Sequence, residues 1–462
     1  MEKTKQTYYL VVGLGSSGMS MARFLHAKGI KVVATDIGSK TGAEKSLKKL
    51  GIKTQIGFHD QETFNLAQAI VVSPGIPLDM IYLKTAAEKG VSITGELDIF
   101  SQYNKTPIIA ITGTNGKTTT TTLIRDMLEA SGLSTFMGGN IGTPLVEYLM
   151  EGKQADWIVA EISSFQLDLA QNFKPKVALL LNVAEDHLDR YNGFEGYTES
   201  KWTIFKNQTM EDTAIINQTI SGVEKRVSKI SSRVLSFSSR PDTKIADAKI
   251  TGDQIRVQAR GCLHHIDTTR LGELQGIHNR ENIAAAILAT LIACGNIQGI
   301  KKGLANFKNL PHRLAFVQTI NGISFYNDSK ATNTDAVVRA LESFQKDIIL
   351  ILGGREKGTD FSLLVPILSH TENRKNRVKL IIAMGEARHH IQKVLGKICP
   401  VLLVNSMAEA VKKAYEGAAT DDVVLLAPAC ASFDMYENYG ARGNDFTALV
   451  RAIEDGGKSG KK

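Results

Sequence analysis

Cysteine is scarce in this chain: among 462 residues only Cys262, Cys294, Cys399 and Cys430 occur, far apart and with no C-x-x-C pair. Such spacing offers neither a zinc site nor a disulfide framework and points to a reducing compartment. No run approaches the roughly 18 apolar residues that a membrane helix needs, and the opening Met-Glu-Lys-Thr-Lys-Gln has no apolar signal core. Dense basic tracts are missing as well. The formal charge is +8, but only ENRKNRVK and the tail GGKSGKK are locally basic, and no aromatic residues interleave them. Both read as solvated surface rather than nucleic-acid patches. No repeat or low-complexity tract occurs before the last few residues. A cytoplasmic protein is expected, with no nucleic-acid partner and no membrane insertion.

What remains is ordinary globular composition, 43% hydrophobic and 22% charged, in a chain too long for one core. Strand-type and helix-type patterns alternate almost throughout, which predicts an α/β fold of parallel sheets covered by helices. Three sections separate. Residues 1–104 carry an opening βαβ unit. Residues 105–311 begin with the strand-like IIAIT, Ile108 to Thr112, and end near Pro311, where polar residues suggest a hinge. Residues 312–462 hold three buried-type strands, in DIILILGG, KLIIAMG and DVVLLAP.

The first section opens on YYLVVGLGSSGMSMARFLHAKGIKVVATD. Gly13, Gly15 and Gly18 sit at G-x-G-x-x-G spacing between an apolar run and a helical pattern, and a second apolar run ends on Asp36. This is the dinucleotide fingerprint, in which glycines permit a tight turn and let a diphosphate approach a helix N-terminus. On its own it suggests an NAD-dependent dehydrogenase, yet that reading explains only the first 36 residues.

The strongest chemical signal lies in IIAITGTNGKTTTTTLI. A buried-type strand runs into Gly113, then Gly116-Lys117-Thr118 and a helix. Backbone N–H groups in such a loop converge on phosphate oxygens, Lys117 neutralises β/γ charge, and the Thr118 hydroxyl can ligate Mg²⁺. The spacing G-x-x-G-K-T is two residues shorter than the usual phosphate-loop pattern. ATP binding is the expectation. Glu161 closes the next buried-type strand, in DWIVAEISSFQL, where it reads either as a Mg²⁺ ligand or as a helix cap or surface carboxylate. NVAEDHLDRY packs Glu185, Asp186, His187, Asp189 and Arg190 together. His187 reads as a metal ligand, a substrate donor or a structural histidine.

With GTNGKTT, EISSFQL and NVAEDHLDRY in that order, joined by SPGIP, GNIG, NLPHRLA, NDSKATN and APACASFDMYENYGARG, the whole chain resembles the Mur ligase superfamily. These enzymes form an amide between a carboxylate and an amino acid at the expense of ATP, through an acyl phosphate. The resemblance implies three domains: N-terminal Rossmann-like for the UDP substrate, central P-loop ATPase-like with a parallel sheet, and C-terminal Rossmann-like, bringing the amino acid and closing on the others. The segments around EISSFQL and PACAS are similar to those of the branch that joins UDP-N-acetylmuramoyl-L-alanine (UDP-MurNAc-L-Ala) and D-glutamate. A sibling ligase using another amino acid is the alternative, and a non-enzymatic nucleotide switch would leave PACAS and NDSKATN without purpose. A monomer is expected.

Residue by residue, the resemblance implies that Gly113, Thr114, Asn115, Gly116, Lys117, Thr118 and Thr119 hold the ATP phosphates, with Lys117 catalytic. Asn279 and Asn282 lie near the adenine, although helix capping explains either equally well. Arg313 contacts the nucleotide from the hinge, and Asp328 and Lys330 supply ribose and phosphate contacts. Thr118 and Glu161 hold one Mg²⁺, and His187 a second. Lys201, in YTESKWTIF, looks like a surface lysine from sequence alone. In this family the corresponding lysine is carbamylated by CO₂, becoming an anion that can act beside Mg²⁺, and Lys201 is expected to do the same.

For the UDP substrate the implied contacts are Gly15, Ser16 and Ser17 at the diphosphate, Asp36, Ser73, Pro74 and Gly75 at the uracil end, and Asn140 and His187. Relatives commonly follow this Asp with Thr-Arg, whereas Ile37-Gly38 follow here. For D-glutamate they are Thr332, Lys357 and Ser432, with Phe433 and Tyr439 lining a segment where relatives often carry Leu and Phe. Cys430 lacks a histidine partner in sequence and reads as packing.

Overall fold

The computed structural model describes residues 8–39, 41–243, 246–259, 261–269, 274, 276–308, 310–369 and 377–458. The chain forms two compact units. The first comprises 1–182, 198–270 and 281–307, the second 183–197, 271–280 and 308–462.

The first unit contains two sheets. In the smaller, β1 (Tyr9–Val12), β2 (Val32–Asp36), β3 (Lys53–Ile56), β4 (Ala69–Val72) and β5 (Ser92–Thr94) lie parallel in the order β3-β2-β1-β4-β5. The middle strands are mostly apolar and buried except at Tyr9 and Asp36 on their ends, as strands covered on both faces must be. The helix Ser16–Ala27 buries Met21, Ala22, Phe24 and Leu25. Because β1 has β2 on one side and β4 on the other, the turn leaving β1 stands at a topological switch point, where open α/β sheets take ligands.

The larger sheet holds β6 (Ile108–Thr112), β7 (Thr135–Gly139), β8 (Trp157–Glu161), β9 (Val177–Leu180), β10 (Thr213–Asn217), β11 (Arg233–Ser238), β12 (Ala248–Thr251), β13 (Gln254–Ala259) and β14 (Cys262–Asp267), ordered β14-β13-β12-β11-β10-β9-β6-β8-β7. β6 is buried at all five positions and lies between β8 and β9, so a second switch point falls at its carboxyl end. Behind it, the helix Lys117–Ala130 packs on the helix Ile297–Asn306. Gly299 and Gly303 make that approach possible: a Cβ at Gly299 would lie 2.1 Å from Ser131 Oγ, and one at Gly303 2.8 Å from Met127 Cα. The edge departs from the expected parallel pattern. β12, β13 and β14 form an antiparallel meander, and β13 alternates exposed with buried residues because only one face is covered.

The second unit is built on β15 (Ala315–Ile320), β16 (Ile323–Asn327), β17 (Ile348–Gly353), β18 (Val378–Met384), β19 (Val401–Leu403) and β20 (Val423–Leu426), ordered β15-β16-β20-β17-β18-β19. β15 and β16 make an antiparallel hairpin through Asn321-Gly322, both at positive φ, and the remaining pairs are parallel. Successive β17 residues feed opposite faces. Ile348, Leu350 and Leu352 join one core, Ile349 and Ile351 the other. β17 and β20 meet at this sheet's switch point. Among the described residues no helix is long and apolar enough to cross a membrane.

Candidate functional site

Each switch point carries a loop rich in the residues singled out above. At the end of β1, Gly13 has φ +87 and Gly18 leaves no room for a side chain, since a Cβ there would fall 1.8 Å from the Gly13 carbonyl oxygen. The helix N-terminus at Gly15 has no side-chain cap, and Gly15 and Ser16 are exposed, which suits it to an anion. Ser73 Oγ donates to the Gly13 carbonyl at 2.7 Å. Asp36 accepts the Leu14 N–H at 2.7 Å through one oxygen and the Gly38 N–H at 2.8 Å through the other. Its carboxylate thereby shapes the glycine turn. Ile37 beside it is 68% exposed. Pro74 is half-buried and Gly75 exposed beyond Ser73.

Below Ser17 lies Glu96, which no motif of the sequence marks. Its carboxyl is buried and receives long hydrogen bonds, 3.4 Å from Ser17 Oγ and 3.4 Å from the Val146 N–H. Burial pushes its pKa up to about 7.

The densest cluster surrounds the loop after β6. Gly113 (φ +152) and Gly116 (φ +84) bend the chain into the helix Lys117–Ala130. Thr114 and Asn115 are tied down from β9's end: the Asn115 N–H donates to Asn182 Oδ1 at 2.8 Å, Asn182 Nδ2 returns to the Asn115 carbonyl at 2.9 Å, and the Thr114 N–H reaches the Asn182 carbonyl at 3.1 Å. Lys117 Nζ folds back to the carbonyls of Gly113 (2.8 Å) and Thr114 (2.9 Å). Thr118 donates to Glu161 Oε2 at 2.8 Å, and Asn140 Nδ2 to Glu161 Oε1 at 2.9 Å. Thr119, like Thr118, is buried. Lys201 is 1% exposed, with Nζ donating to the Gly113 carbonyl at 3.0 Å. Asn282 packs against Gly116, its Oδ1 2.2 Å from where a Cβ would stand, and Asn279 lies one turn earlier on the same helix. Thus Gly113 to Thr119, Asn140, Glu161, Lys201 and Asn282 converge within one unit. Two hard oxygen donors, the Thr118 hydroxyl and the Glu161 carboxylate, stand side by side at a phosphate-type loop, a donor set that suits Mg²⁺.

In the second unit, Asp328 accepts the Leu314 N–H at 3.2 Å, and enclosure pushes its carboxyl up to about 6. Lys330 Nζ lies 4.9 Å from the Tyr439 ring centroid, a cation–π contact. Arg313, half-buried, begins the turn into β15. Lys357 Nζ stands 3.6 Å from Asp186 Oδ1, and Asn333 Nδ2 donates to Asp186 Oδ2 at 3.1 Å. His187 (φ 56) directs its N–H to Asp186 Oδ1 and holds Nε2 3.8 Å from Oδ2. Asp186 is therefore the hub that brings Lys357 and His187 together, and Asn333 and Asn182 play similar tying roles. In the sequence Asp186 was noted only as one member of a polar cluster, and Asn182 and Asn333 only as letters of the motifs NVAEDHLDRY and NDSKATN. Thr332 is half-buried, Ser432 buried, and Phe433 and Tyr439 exposed. Cys430 is fully buried, and burial pushes its thiol up to about 12, which leaves it inert as a nucleophile.

Three family models match in chain order: the Mur ligase MurD-like N-terminal domain over residues 7–95, the Mur ligase middle domain over 111–290, and the Mur ligase glutamate ligase domain over 312–430. A UDP-N-acetylmuramoylalanine–D-glutamate ligase of Desulfosudis oleivorans is 42% identical over 458 residues, 98% of each chain. A protein of the same name from Geotalea daltonii is 40% identical over 97% of this chain and 98% of its own. Among solved structures, the UDP-N-acetylmuramate-alanine ligase of Thermotoga maritima covers 97% of this chain and 100% of its own at TM-score 0.60 and 16% identity. A pseudomurein peptide ligase from Methanothermus fervidus gives 0.60 at 20% over the same shares. At those identities the structures speak for the fold alone.

Proposed function

Since the chain belongs to the Mur ligase family, we propose that it joins D-glutamate to UDP-N-acetylmuramoyl-L-alanine with ATP as the energy source, a step of peptidoglycan precursor synthesis. The observation that carries this reading is 42% identity along 98% of both chains to a ligase named for that reaction. The reaction would proceed in the cytoplasm, where ATP and a nucleotide-linked sugar are available.

The chemistry needs an activated carboxylate, because a carboxylate repels an amine's lone pair and oxide is a hopeless leaving group. Transfer of the γ-phosphoryl group yields an acyl phosphate, which the amine of D-glutamate attacks as phosphate leaves. Positioning and charge neutralisation do most of the work. Lys117 would turn from the loop carbonyls to the ATP phosphates, which the loop from Gly113 to Thr119 would cradle, chiefly through the helix N-terminus at Gly116 to Thr119, since the Thr114 and Asn115 N–H groups are given to Asn182. Thr118 and Glu161 would hold Mg²⁺, which when bound neutralises phosphate charge. Asn282, Asn279 and Arg313 would contact the nucleotide, and Asp328 and Lys330 its ribose and phosphates. The glycine turn with Gly15, Ser16 and Ser17 would take the diphosphate, with Ser73 to Gly75 and Asp36 toward the uracil, Asn140 nearer the central loop, and His187 near the incoming carboxylate and a second ion. Thr332, Lys357 and Ser432 would hold the carboxylates of D-glutamate beside Phe433 and Tyr439.

Lys201 would act as its carbamate. An ammonium shut away from water carries a heavy desolvation cost, whereas a carbamate keeps an N–H for the Gly113 carbonyl and offers two anionic oxygens beyond it. Purified protein with ATP, Mg²⁺ and UDP-MurNAc-L-Ala, tried with several amino acids, tests the whole reading. Phosphate release that depends on D-glutamate supports it, and preference for another amino acid would move the chain to a sibling reaction.

A further inference from the structure

Arg442 is the largest fully buried side chain among the described residues, 1% exposed, and it sits in the first turn of the helix Tyr439–Lys458. That location is doubly unfavourable for a cation. Burial strips its water, and the positive end of the helix dipole lies beside it. Burial pulls its pKa down to about 10. Among the described residues the acceptors of its guanidinium are all neutral: Nε donates to Ser329 Oγ at 3.0 Å, Nη2 to the Ser329 carbonyl at 2.8 Å and the Cys430 carbonyl at 3.1 Å, and Nη1 to the Ala431 carbonyl at 3.2 Å. A charge kept at such cost, against four oxygens from two loops, has a geometric purpose.

Those loops are the carboxyl ends of β16 and β20. The first carries Asp328, Lys330 and Thr332, the second Ser432. The loop after β17 is drawn in as well. Gly354 (φ +138) passes so close that a Cβ would stand 2.2 Å from the Ala431 carbonyl oxygen and 3.1 Å from Arg442 Nη1. Arg355 and Ala431 exchange backbone hydrogen bonds at 2.9 and 3.1 Å. Ser329 passes the tie onward, its hydroxyl donating to the Tyr439 carbonyl at 2.8 Å. Ala429, at φ 58, is held in a conformation that a non-glycine residue adopts only under constraint.

We propose that Arg442 is a positioning residue: its planar fork fixes the spacing between the Asp328–Thr332 loop and the Cys430–Ser432 loop, and so sets the geometry that receives the carboxylates of the amino-acid substrate. The assignment of those carboxylates rests on the function proposed above. Lysine cannot replace the fork, because its single ammonium lacks the guanidinium's rigid array of five donors.

The test compares wild type, Arg442→Lys, Arg442→Ala and the milder Ser329→Ala by amide hydrogen exchange and by steady-state kinetics. Arg442→Lys should lose exchange protection in 328–332 and 429–432 together, raise KM for D-glutamate at least about tenfold, and leave KM for UDP-MurNAc-L-Ala within about twofold. Arg442→Ala should regain D-glutamate affinity on addition of methylguanidinium. Ser329→Ala, which removes one acceptor and adds no volume, should show the same pattern more weakly. Unchanged exchange in both loops, or KM values for the two substrates rising in parallel without guanidinium rescue, would overturn the proposal. Wild-type protein without D-glutamate turnover would instead sink the functional reading, and the exchange comparison would still decide whether Arg442 couples the loops.

Discussion

Thr118 and Glu161, 43 residues apart, are joined by a 2.8 Å hydrogen bond from the threonine hydroxyl to Glu161 Oε2. β6 and β8 pair in register, with Ile111 opposite Glu161, so the carboxylate arrives beside the phosphate-type loop as a consequence of sheet topology. An ion held by both oxygens must displace the hydrogen between them. Thr118→Ala keeps the fold but removes one ligand, so the Mg²⁺ concentration for half-maximal activity should rise roughly 10- to 100-fold, the range seen when shells around a metal are disturbed. A Mg²⁺ titration of turnover measures this, and an unshifted midpoint would exclude Thr118 from the metal site.

Lys117→Ala should cut kcat by at least about 10²–10³-fold, the usual cost of removing one preorganised donor from developing charge. Circular dichroism should stay unchanged, since the helix Lys117–Ala130 is held by buried Leu123, Ile124, Met127 and Leu128. Single-turnover phosphate release is the direct readout. Near-normal rates would mean that the loop handles no transferring phosphoryl group.

The carbamylation proposed for Lys201 would have its own signature. Protein equilibrated with ¹³C-bicarbonate should show a carbamate carbonyl resonance that Lys201→Arg lacks, and bicarbonate depletion should lower activity reversibly. An active enzyme with no such resonance would leave Lys201 as a buried lysine tied to the Gly113 carbonyl.

Glu96 gives a pH dependence of stability with a definite sign. Its carboxyl has a folded-state pKa of about 7 against an ordinary value of 4.5, so between these values the folded protein holds a proton that the unfolded chain releases. Stability therefore falls as pH rises from about 4.5 to 7, by about 3 kcal/mol if the whole shift acts. Glu96→Gln mimics the protonated form and should flatten that slope in urea denaturation from pH 5 to 8. A slope equal to wild type would show that the carboxyl is hydrated in solution.

The glycine turn of the first sheet yields a steric test. Gly18→Ala drives a methyl group against the Gly13 carbonyl, so the helix must retreat from β1. Overpacking of this kind costs about 1–3 kcal/mol and should lower Tm while weakening UDP-MurNAc-L-Ala binding. Gly42→Ala, on the helix Thr41–Lys49 of the same unit and away from the turn, where a Cβ meets nothing within 4 Å, serves as the control.

The sequence made the loop after β6 and the turn after β1 legible because both are local: glycines at fixed offsets, a Lys-Thr pair, and a strand running straight into a helix. The three-sheet α/β architecture was legible for a similar reason, since buried parallel strands appear as continuous apolar runs. The antiparallel edge β12–β14 was not, because its exposed face dilutes the apolar pattern. The tying roles of Asn182 and Arg442, and that of Asp186 beyond its membership of a polar cluster, escaped for a different reason. Each acts on residues distant in sequence, through backbone groups or single oxygens, and nothing in its immediate neighbours announces that. Asp36 shows the same limit. Its place at the end of β2 was readable, but its grip on the Leu14 and Gly38 N–H groups required the folded turn.

The most direct test of the central claim is phosphate release by purified protein given ATP, Mg²⁺ and UDP-MurNAc-L-Ala, with and without D-glutamate, together with mass analysis of the product. The expected result is phosphate formation dependent on D-glutamate, matched by a UDP-linked product heavier by one glutamyl residue. Phosphate release indifferent to D-glutamate, or a product carrying another amino acid, would contradict the account.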